Sequence, residues 1–210
     1  MEPTRREVRM GDFLIGLIKI FLATLLIPVV IASVLGFQNH LTTYPMEYQD
    51  FFLWGVMAFL LVFLFAYQFW GVYEFGQKIM GDIFKFSAPF NSIISYVLPF
   101  YFIIIMFLFY ATTEFLGIKR YDPYFMFFSG FSLAMHTFLS AQDLQEQEKT
   151  PVKPSYLLTI CVVVILNIVL MVLFMDLILG KWTFPAFFET TWQGVQNKYD
   201  FILHQMIDVK

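Results

Sequence analysis

The chain has 210 residues, of which 59% are hydrophobic, 20% are aromatic and only 14% are charged, and its mean hydropathy is +0.70. This composition excludes an ordinary soluble domain. The 13 basic residues are scattered and the formal net charge is −3, which excludes the basic footprint of a nucleic-acid-binding protein. Because the apolar runs are about 20 residues long, enough for a helix to cross the hydrocarbon core, the sequence predicts an all-α polytopic membrane protein whose surroundings are the lipid bilayer.

The first two predicted spans occupy residues 13–37 and 51–73. The first follows an arginine-containing terminus and is too long for the apolar core of a cleaved signal peptide, so we expect it to be retained. Tyr44, Tyr48 and Trp54 surround the start of the second span, a pattern typical of the membrane–water interface.

Three further spans are predicted at residues 92–116, 124–141 and 156–180. Gly117 can end the third helix, and Pro123 can lie in the first turn of the fourth. The fourth span is the shortest and most polar, so a re-entrant segment is its alternative interpretation. About five transmembrane helices are therefore predicted.

The C-terminal residues 184–210 are predicted to form an amphipathic helix that follows a transmembrane domain of residues 1–183. Apolar side chains recur in this segment at helical spacing, while its polar side is not basic. Packing on the membrane surface and docking on a partner protein both remain open. The candidate partner-docking face consists of Phe188, Trp192, Val195, Tyr199, Ile202 and Met206.

Basic residues near the span ends favour a cytoplasmic N terminus and an external C terminus. This orientation places eight lysines and arginines inside and five outside, although Lys119 and Arg120 argue against it locally. The sequence contains no Asn-x-Ser/Thr acceptor site, which is compatible with a bacterial cytoplasmic (inner) membrane.

The fourth span carries a seam of small and hydrogen-bonding side chains. Asn167 in the fifth span is expected at nearly the depth of His136, so these two side chains are predicted to satisfy each other across a helix interface. A packing seam is the favoured interpretation, because no carboxylate lies at mid-depth. The alternative is that His136 relays protons or contacts a polar substrate. The seam comprises Ser129, Ser132, His136, Ser140 and Asn167.

Charged residues near the outer ends of the third and fifth spans form a second candidate site. Ion pairs that fix the helix ends are the expected interpretation, and a substrate or ion site at the outer mouth is the alternative. This outer-face charge cluster comprises Glu114, Lys119, Arg120, Asp176 and Lys181.

Known catalytic, metal-binding and cofactor-binding motifs are absent from the sequence, so neither an enzyme nor a cofactor is expected. Cys161 is the only cysteine and lies in an apolar run, as expected of a small buried hydrophobe. The favoured function is a non-catalytic integral membrane subunit or scaffold of a larger envelope complex, which anchors partner proteins or forms their membrane port. The alternative is a small transporter or channel for a lipid or amphipathic solute, which requires that the seam line a cavity.

Overall fold

The computed structural model describes residues 5–66, 69–87, 91–117, 121–148 and 153–207, and within these ranges it leaves out the side chains of residues 5–12, 66, 91–93, 116, 179 and 206–207. Every regular element in the described part of the chain is helical, as predicted. The helices are α1 (Arg5–Leu41), α2 (Met46–Ala66), α3 (Trp70–Ile83), α4 (Asn91–Val97), α5 (Phe100–Leu116), α6 (Asp122–Gln147), α7 (Pro154–Leu179) and α8 (Phe184–Ile207). A short 3₁₀ turn lies at Lys85–Ser87.

Three of these helices are long and apolar enough to cross a membrane. Their apolar stretches are Phe13–Leu41 in α1, Met46–Phe65 in α2 and Pro154–Ile178 in α7. A shorter apolar stretch, Phe100–Phe115, lies in α5. By length and composition the structure thus has three helices of membrane-spanning length, as suits an integral membrane protein, and the count of five spans stays a prediction.

Two predicted spans are divided in the structure. The second was expected to continue to residue 73, but α2 ends at Ala66 and a new helix begins at Trp70. The third is interrupted between α4 and α5 at Pro99, whose ψ of 91° is extended. Proline has no N–H to donate and disfavours a helical conformation in the residue before it, so the chain cannot continue α4 through this point.

Two helix ends follow the sequence signals closely. Gly117 ends α5 with a left-handed φ of 64°, which costs a residue without a Cβ little. Pro123 lies in the first turn of α6, where its missing N–H leaves no helical hydrogen bond unmade. Both predictions for the α5–α6 junction are confirmed.

The bundle is built from two parallel helix pairs. In the pair α2 and α6, the rings of Phe51 and Tyr124 lie 5.4 Å apart and those of Phe63 and Phe138 lie 4.9 Å apart, so the two helices run in the same direction. In the pair α1 and α7, Lys19 Nζ donates to Ser155 Oγ at 2.8 Å at the start of α7. Nε2 of His40, near the end of α1, lies 3.3 Å from Oγ1 of Thr183, which follows the end of α7, so these two helices also run in the same direction. Helix α6 also packs against α5 and α7 and joins the two pairs.

Glycines bring the backbones of α2 and α6 into direct contact. A Cβ atom on Gly55 would lie 1.9 Å from the carbonyl oxygen of Phe127, and one on Gly130 would lie 2.2 Å from that of Phe52. Small residues allow such close approach between membrane helices, where packing rather than water exclusion drives association. This contact positions α6, and with it the polar seam.

Replacing Gly55 by alanine is expected to lower the free energy of unfolding by about 1–3 kcal/mol, because the added methyl group forces two backbones apart. Gly71→Ala is the matched control: Gly71 lies in α3, and a Cβ there meets nothing within 4 Å. It should leave stability unchanged or raise it by up to about 1 kcal/mol. Thermal unfolding of the purified protein in detergent measures both variants, and equal melting temperatures would contradict the close contact.

Candidate functional site

The seam serines are buried on one face of α6, and each has a hydrogen-bond partner. Ser129 Oγ donates to the carbonyl oxygen of Phe125 at 2.7 Å, and Ser132 Oγ donates to that of Ser129 at 3.1 Å. Ser140 Oγ accepts from Tyr73 Oη of α3 at 3.0 Å. The hydroxyl group of Ser140 thus bonds to another helix, whereas those of Ser129 and Ser132 bond within α6.

The side chain of His136 links α6 to the interruption between α4 and α5 through a hydrogen bond. Its Nε2 lies 2.9 Å from the carbonyl oxygen of Tyr96, in the last turn of α4. A carbonyl only accepts hydrogen bonds, so Nε2 carries the proton and donates it. The ring is only 5% exposed. His136 therefore satisfies a backbone acceptor at the point where Pro99 interrupts the helix.

The predicted hydrogen bond between His136 and Asn167 is wrong, because each side chain has a different partner. Asn167 Nδ2 donates to Thr137 Oγ1 at 2.8 Å, one residue beyond the histidine. The expected depth is therefore correct, but neighbouring residues on a helix point about 100° apart, and depth along the chain does not define helix rotation. Asn167 Oδ1 is buried and has no hydrogen-bond partner among the described residues.

His136→Ala is expected to lower the free energy of unfolding by about 1–3 kcal/mol, because it leaves the Tyr96 carbonyl buried without a donor. Ser129→Ala is the control, since the hydroxyl lost there bonds to a carbonyl of its own helix; its effect should stay within about 1 kcal/mol. Denaturation in detergent compares the two variants. If both variants lower the free energy of unfolding equally, the hydrogen bond between His136 and Tyr96 does not stabilise the bundle.

Asp176 caps the N terminus of α8. Its Oδ2 accepts from the backbone N–H groups of Thr183 at 2.9 Å and Phe184 at 2.8 Å, and the Thr183 hydroxyl donates to Oδ1. A carboxylate at a helix N terminus satisfies donors that lack a partner in the helix and interacts favourably with the helix dipole. The carboxylate thus ties the end of α7 to the start of α8.

The predicted outer-face charge cluster does not form among its described members. Asp176 is buried and is held by the N terminus of α8, whereas Glu114 and Lys181 are exposed. Lys119 and Arg120 lie outside the described residues. The interpretation of Asp176 as a partner in an ion pair is corrected, since backbone N–H groups already satisfy its charge.

His40 and Tyr44 extend the Asp176 cap into a buried network that the sequence reasoning missed. His40 Nε2 and Tyr44 Oη lie 3.0 Å apart, and Tyr44 Oη lies 3.2 Å from Thr183 Oγ1. Burial raises the pKa of Tyr44, which keeps its hydroxyl protonated. The sequence signal was the spacing of four residues between His40 and Tyr44, one helical turn in the polar segment after the first span. The network joins the ends of α1 and α7 to the start of α8.

Asp176→Leu is expected to expose the backbone amides of Thr183 and Phe184, because both lose their acceptor. The loss of an N-cap costs about 0.5–2 kcal/mol, so hydrogen exchange at these amides should accelerate, by roughly tenfold for about 1.4 kcal/mol. Asp176→Asn keeps one acceptor oxygen and should show a smaller effect. Glu114→Leu, at an exposed carboxylate, is the control. Unchanged exchange in Asp176→Leu would show that the cap does not hold α8.

Helix α8 lies antiparallel along α1. Phe187 packs its ring 5.5 Å from that of His40, a Cβ on Gly194 would lie 3.5 Å from the Cβ of Ala32, and Tyr199 Oη donates to the carbonyl oxygen of Leu25. Residues 187–199 of α8 are therefore beside residues 25–40 of α1, within its apolar stretch.

The predicted docking face of α8 is divided by this packing. Val195 is 4% exposed and Tyr199 is bonded to α1, so both are used inside the protein. Phe188, Trp192 and Ile202 are exposed. The side chain of Met206 is outside the described part. The prediction that all six share one free face is wrong, because α1 already covers one edge of it.

A row of polar side chains runs along the exposed side of α8. The spacing of four, three and four residues keeps them on one face, and all four are exposed. We call this row the polar stripe: Glu189, Gln193, Gln196 and Asp200.

An apolar crevice of about 240 Å³ lies between α1, α2, α6 and α7. Thr137 and Asn167 are the only polar side chains among the residues that line it, and His136 is not one of them. Of the five seam residues, only Asn167 lines this crevice. The apolar part of the wall includes Phe37, Phe52, Leu133 and Met171.

Comparison with known proteins finds no matching family model, curated protein or solved structure. Among the described residues, no group of three or more His, Cys, Asp or Glu side chains is placed to hold a metal ion. The function is therefore argued from the polar stripe and the crevice.

Proposed function

We propose that this protein is a non-catalytic integral membrane subunit that holds the membrane helix of a partner protein against α8, within a larger envelope complex. The observation that carries the proposal is the polar stripe, which lies beside the membrane-spanning stretch of α1.

The depth of the stripe follows from the contacts of α8. Gly36 of α1 lies against Thr191, and Leu25 accepts the hydrogen bond of Tyr199. Both α1 residues belong to the apolar stretch Phe13–Leu41. Helix α7 runs parallel to α1 and is apolar over the corresponding length, Pro154–Ile178. The centre of the stripe therefore lies at the depth of the hydrocarbon core.

Polar side chains at that depth need polar contacts. Insertion of one aspartate at the centre of a membrane helix costs about 2.5–3.5 kcal/mol, and an unsatisfied polar group in hydrocarbon is also unfavourable. The stripe presents two carboxylates and two amides on one exposed face. A partner that supplies hydrogen-bond donors is thus favoured over lipid as the neighbour of α8.

The charge of the stripe indicates the chemistry of that partner. Glu189 and Asp200 are acidic, and Lys198 lies on a different face of α8. A membrane helix that carries lysine or arginine together with amide or hydroxyl groups is complementary to it. A second copy of this chain is disfavoured, because two copies in the same membrane orientation would place Glu189 beside Glu189 and Asp200 beside Asp200. The exposed rings of Phe188 and Trp192 add apolar contact area beside the stripe.

The proposed location is a bacterial inner membrane, with the N terminus in the cytoplasm. The arginines before the first span support this orientation. Because α8 runs antiparallel along α1 from the external side, its end at Ile207 lies toward the cytoplasmic side, and the external C terminus expected from the sequence is not part of the proposal. The contact between Lys19 and Ser155 then lies near the cytoplasmic side, and the Asp176 cap lies near the external side.

The test is site-specific photo-crosslinking in native membranes, with the crosslinker in place of Gln193 or Gln196. We expect one protein at a constant molar ratio, crosslinked within a membrane helix that contains lysine or arginine. The double variant Glu189→Leu/Asp200→Leu should reduce the co-purified partner by more than about tenfold, equivalent to about 1.4 kcal/mol. Glu114→Leu is the matched control at an exposed carboxylate on α5, and a crosslinker at Gly71 controls for position.

Three outcomes would each overturn the proposal. Crosslinks to lipid alone would show that the stripe faces the bilayer or its surface. Crosslinks to a second copy of the chain would show that the stripe forms a contact between copies of this protein. If the double variant co-purified as much partner as the wild type does, the stripe would not be part of the interface.

Transport of a lipid or amphipathic solute is the second candidate function, and the crevice beside Asn167 favours it. Partner anchoring is preferred because about 240 Å³ is smaller than the roughly 300–1,000 Å³ of typical ligand pockets.

A further inference from the structure

We infer that a groove at the ends of α2 and α6 and the start of α7 binds a phospholipid with a primary ammonium headgroup, which donates hydrogen bonds to the carboxylate of Glu146. The groove has a volume of about 530 Å³, within the range of roughly 300–1,000 Å³ that is typical of ligand sites. This inference is independent of the partner proposed for α8, because no residue of α8 lines the groove.

The groove lies where the apolar stretches of two helices meet the polar part of the chain. Phe63 lies in the last turn of the stretch Met46–Phe65, and Tyr156 lies in the first turn of the stretch Pro154–Ile178; both residues line the groove. Helix α6 ends nearby at Gln147. The groove is therefore at the level where hydrocarbon gives way to lipid headgroups.

The lining residues of α6 become more polar toward the end of the helix. Phe138 is 46% exposed and presents an aromatic surface, and Ala141 follows one turn later. Gln142, Gln145 and Glu146 then line the groove toward the helix end. At 1.5 Å per residue, this change from apolar to charged side chains takes about 12 Å. A phospholipid has the same order of groups, with its acyl chains deeper than its headgroup, so both ends of the groove match it.

The charge of the groove selects the headgroup. Glu146 is the only charged side chain among the described residues that line it, and Gln142 Nε2 donates to Glu146 Oε1 at 3.0 Å. A primary ammonium group offers three N–H donors to the carboxylate, whereas a trimethylammonium group offers none. A headgroup that carries only negative charge would face the carboxylate and is disfavoured.

A positive charge lies at the edge of the groove, beside the expected position of the lipid phosphate. Lys153 Nζ donates to the backbone carbonyl oxygen of Gln145, which is a lining residue. The ammonium group of lysine has three donors, so it can also bond to a phosphate oxygen. A zwitterionic headgroup is thus complementary to both charges, with its ammonium group at Glu146 and its phosphate group toward Lys153.

The experiment uses the purified full chain in phosphatidylcholine nanodiscs with a trace of photoreactive lipid. The two probes are phosphatidylethanolamine and phosphatidylcholine that carry the same diazirine in the acyl chain. We expect the phosphatidylethanolamine probe to label the peptide around Phe138 and Ala141 more strongly, by a factor of roughly 2 to 5, the range for an exposed ion pair. Both probes should label the peptide around the exposed Phe21 of α1 equally, which makes it the internal reference.

Glu146→Leu should abolish the preference for phosphatidylethanolamine, because it removes the acceptor of the ammonium group. Glu114→Leu is the matched control at an exposed carboxylate on α5 and should keep the preference. Ala141→Phe should fill the groove and weaken the labelling of the α6 peptide by both probes.

The comparison of the two probes in the wild-type protein stands even if Glu146→Leu fails to fold. Equal labelling by both probes would overturn the inference, since the groove would then accept any lipid. A phosphatidylglycerol probe that labels the α6 peptide as strongly as phosphatidylethanolamine does would exclude selection by charge. An undiminished preference in Glu146→Leu would show that this carboxylate does not bind the headgroup.

Discussion

Inside a bilayer a polar group has no water to bind, and this constraint governs the structure from one end to the other. The carbonyl of Tyr96 lies where Pro99 interrupts the helix, and His136 supplies its donor. The carboxylate of Asp176 would be costly in hydrocarbon, but the N terminus of α8 surrounds it with N–H groups. His136 and Asp176, which resemble catalytic groups in the sequence, thereby link helices through hydrogen bonds. Each of them is used to satisfy the polar groups of the backbone.

The same constraint explains why two other places stand out. Asn167 Oδ1 has no partner in the described part of the chain, and the polar stripe of α8 faces away from the protein. The buried Oγ1 of Thr191 also lacks a partner in this part of the chain, so one unpaired atom does not by itself mark a site. An exposed row of polar groups does mark a surface that another molecule completes. The two places differ: Asn167 Oδ1 is buried beside a small apolar crevice, whereas the stripe is exposed and extends along three turns of α8.

Close packing and capping determine which surfaces remain open. Gly55 and Gly130 hold α2 and α6 backbone against backbone, while α1 pairs with α7, and the crevice lies between these two pairs. The Asp176 cap turns the chain back at the end of α7, so that α8 descends along α1. If α8 left the bundle here, its stripe would reach water and need no partner. The direction of one helix therefore decides whether the stripe is a site.

The sequence by itself determined the helical class, the apolar stretches of α1 and α7, and the α5–α6 junction at Gly117 and Pro123, because these depend on local composition and backbone preference. Only the tertiary structure decided the partners of His136, Asn167 and Asp176 and the division of the α8 face. The depth of a residue along a helix follows from its position in the sequence, but the rotation of the helix about its axis does not. Successive side chains on a helix point about 100° apart. That rotation is set by packing between distant segments. Helices α2 and α7 are nearly uniformly apolar around their circumference, so sequence periodicity carries little information about their rotation.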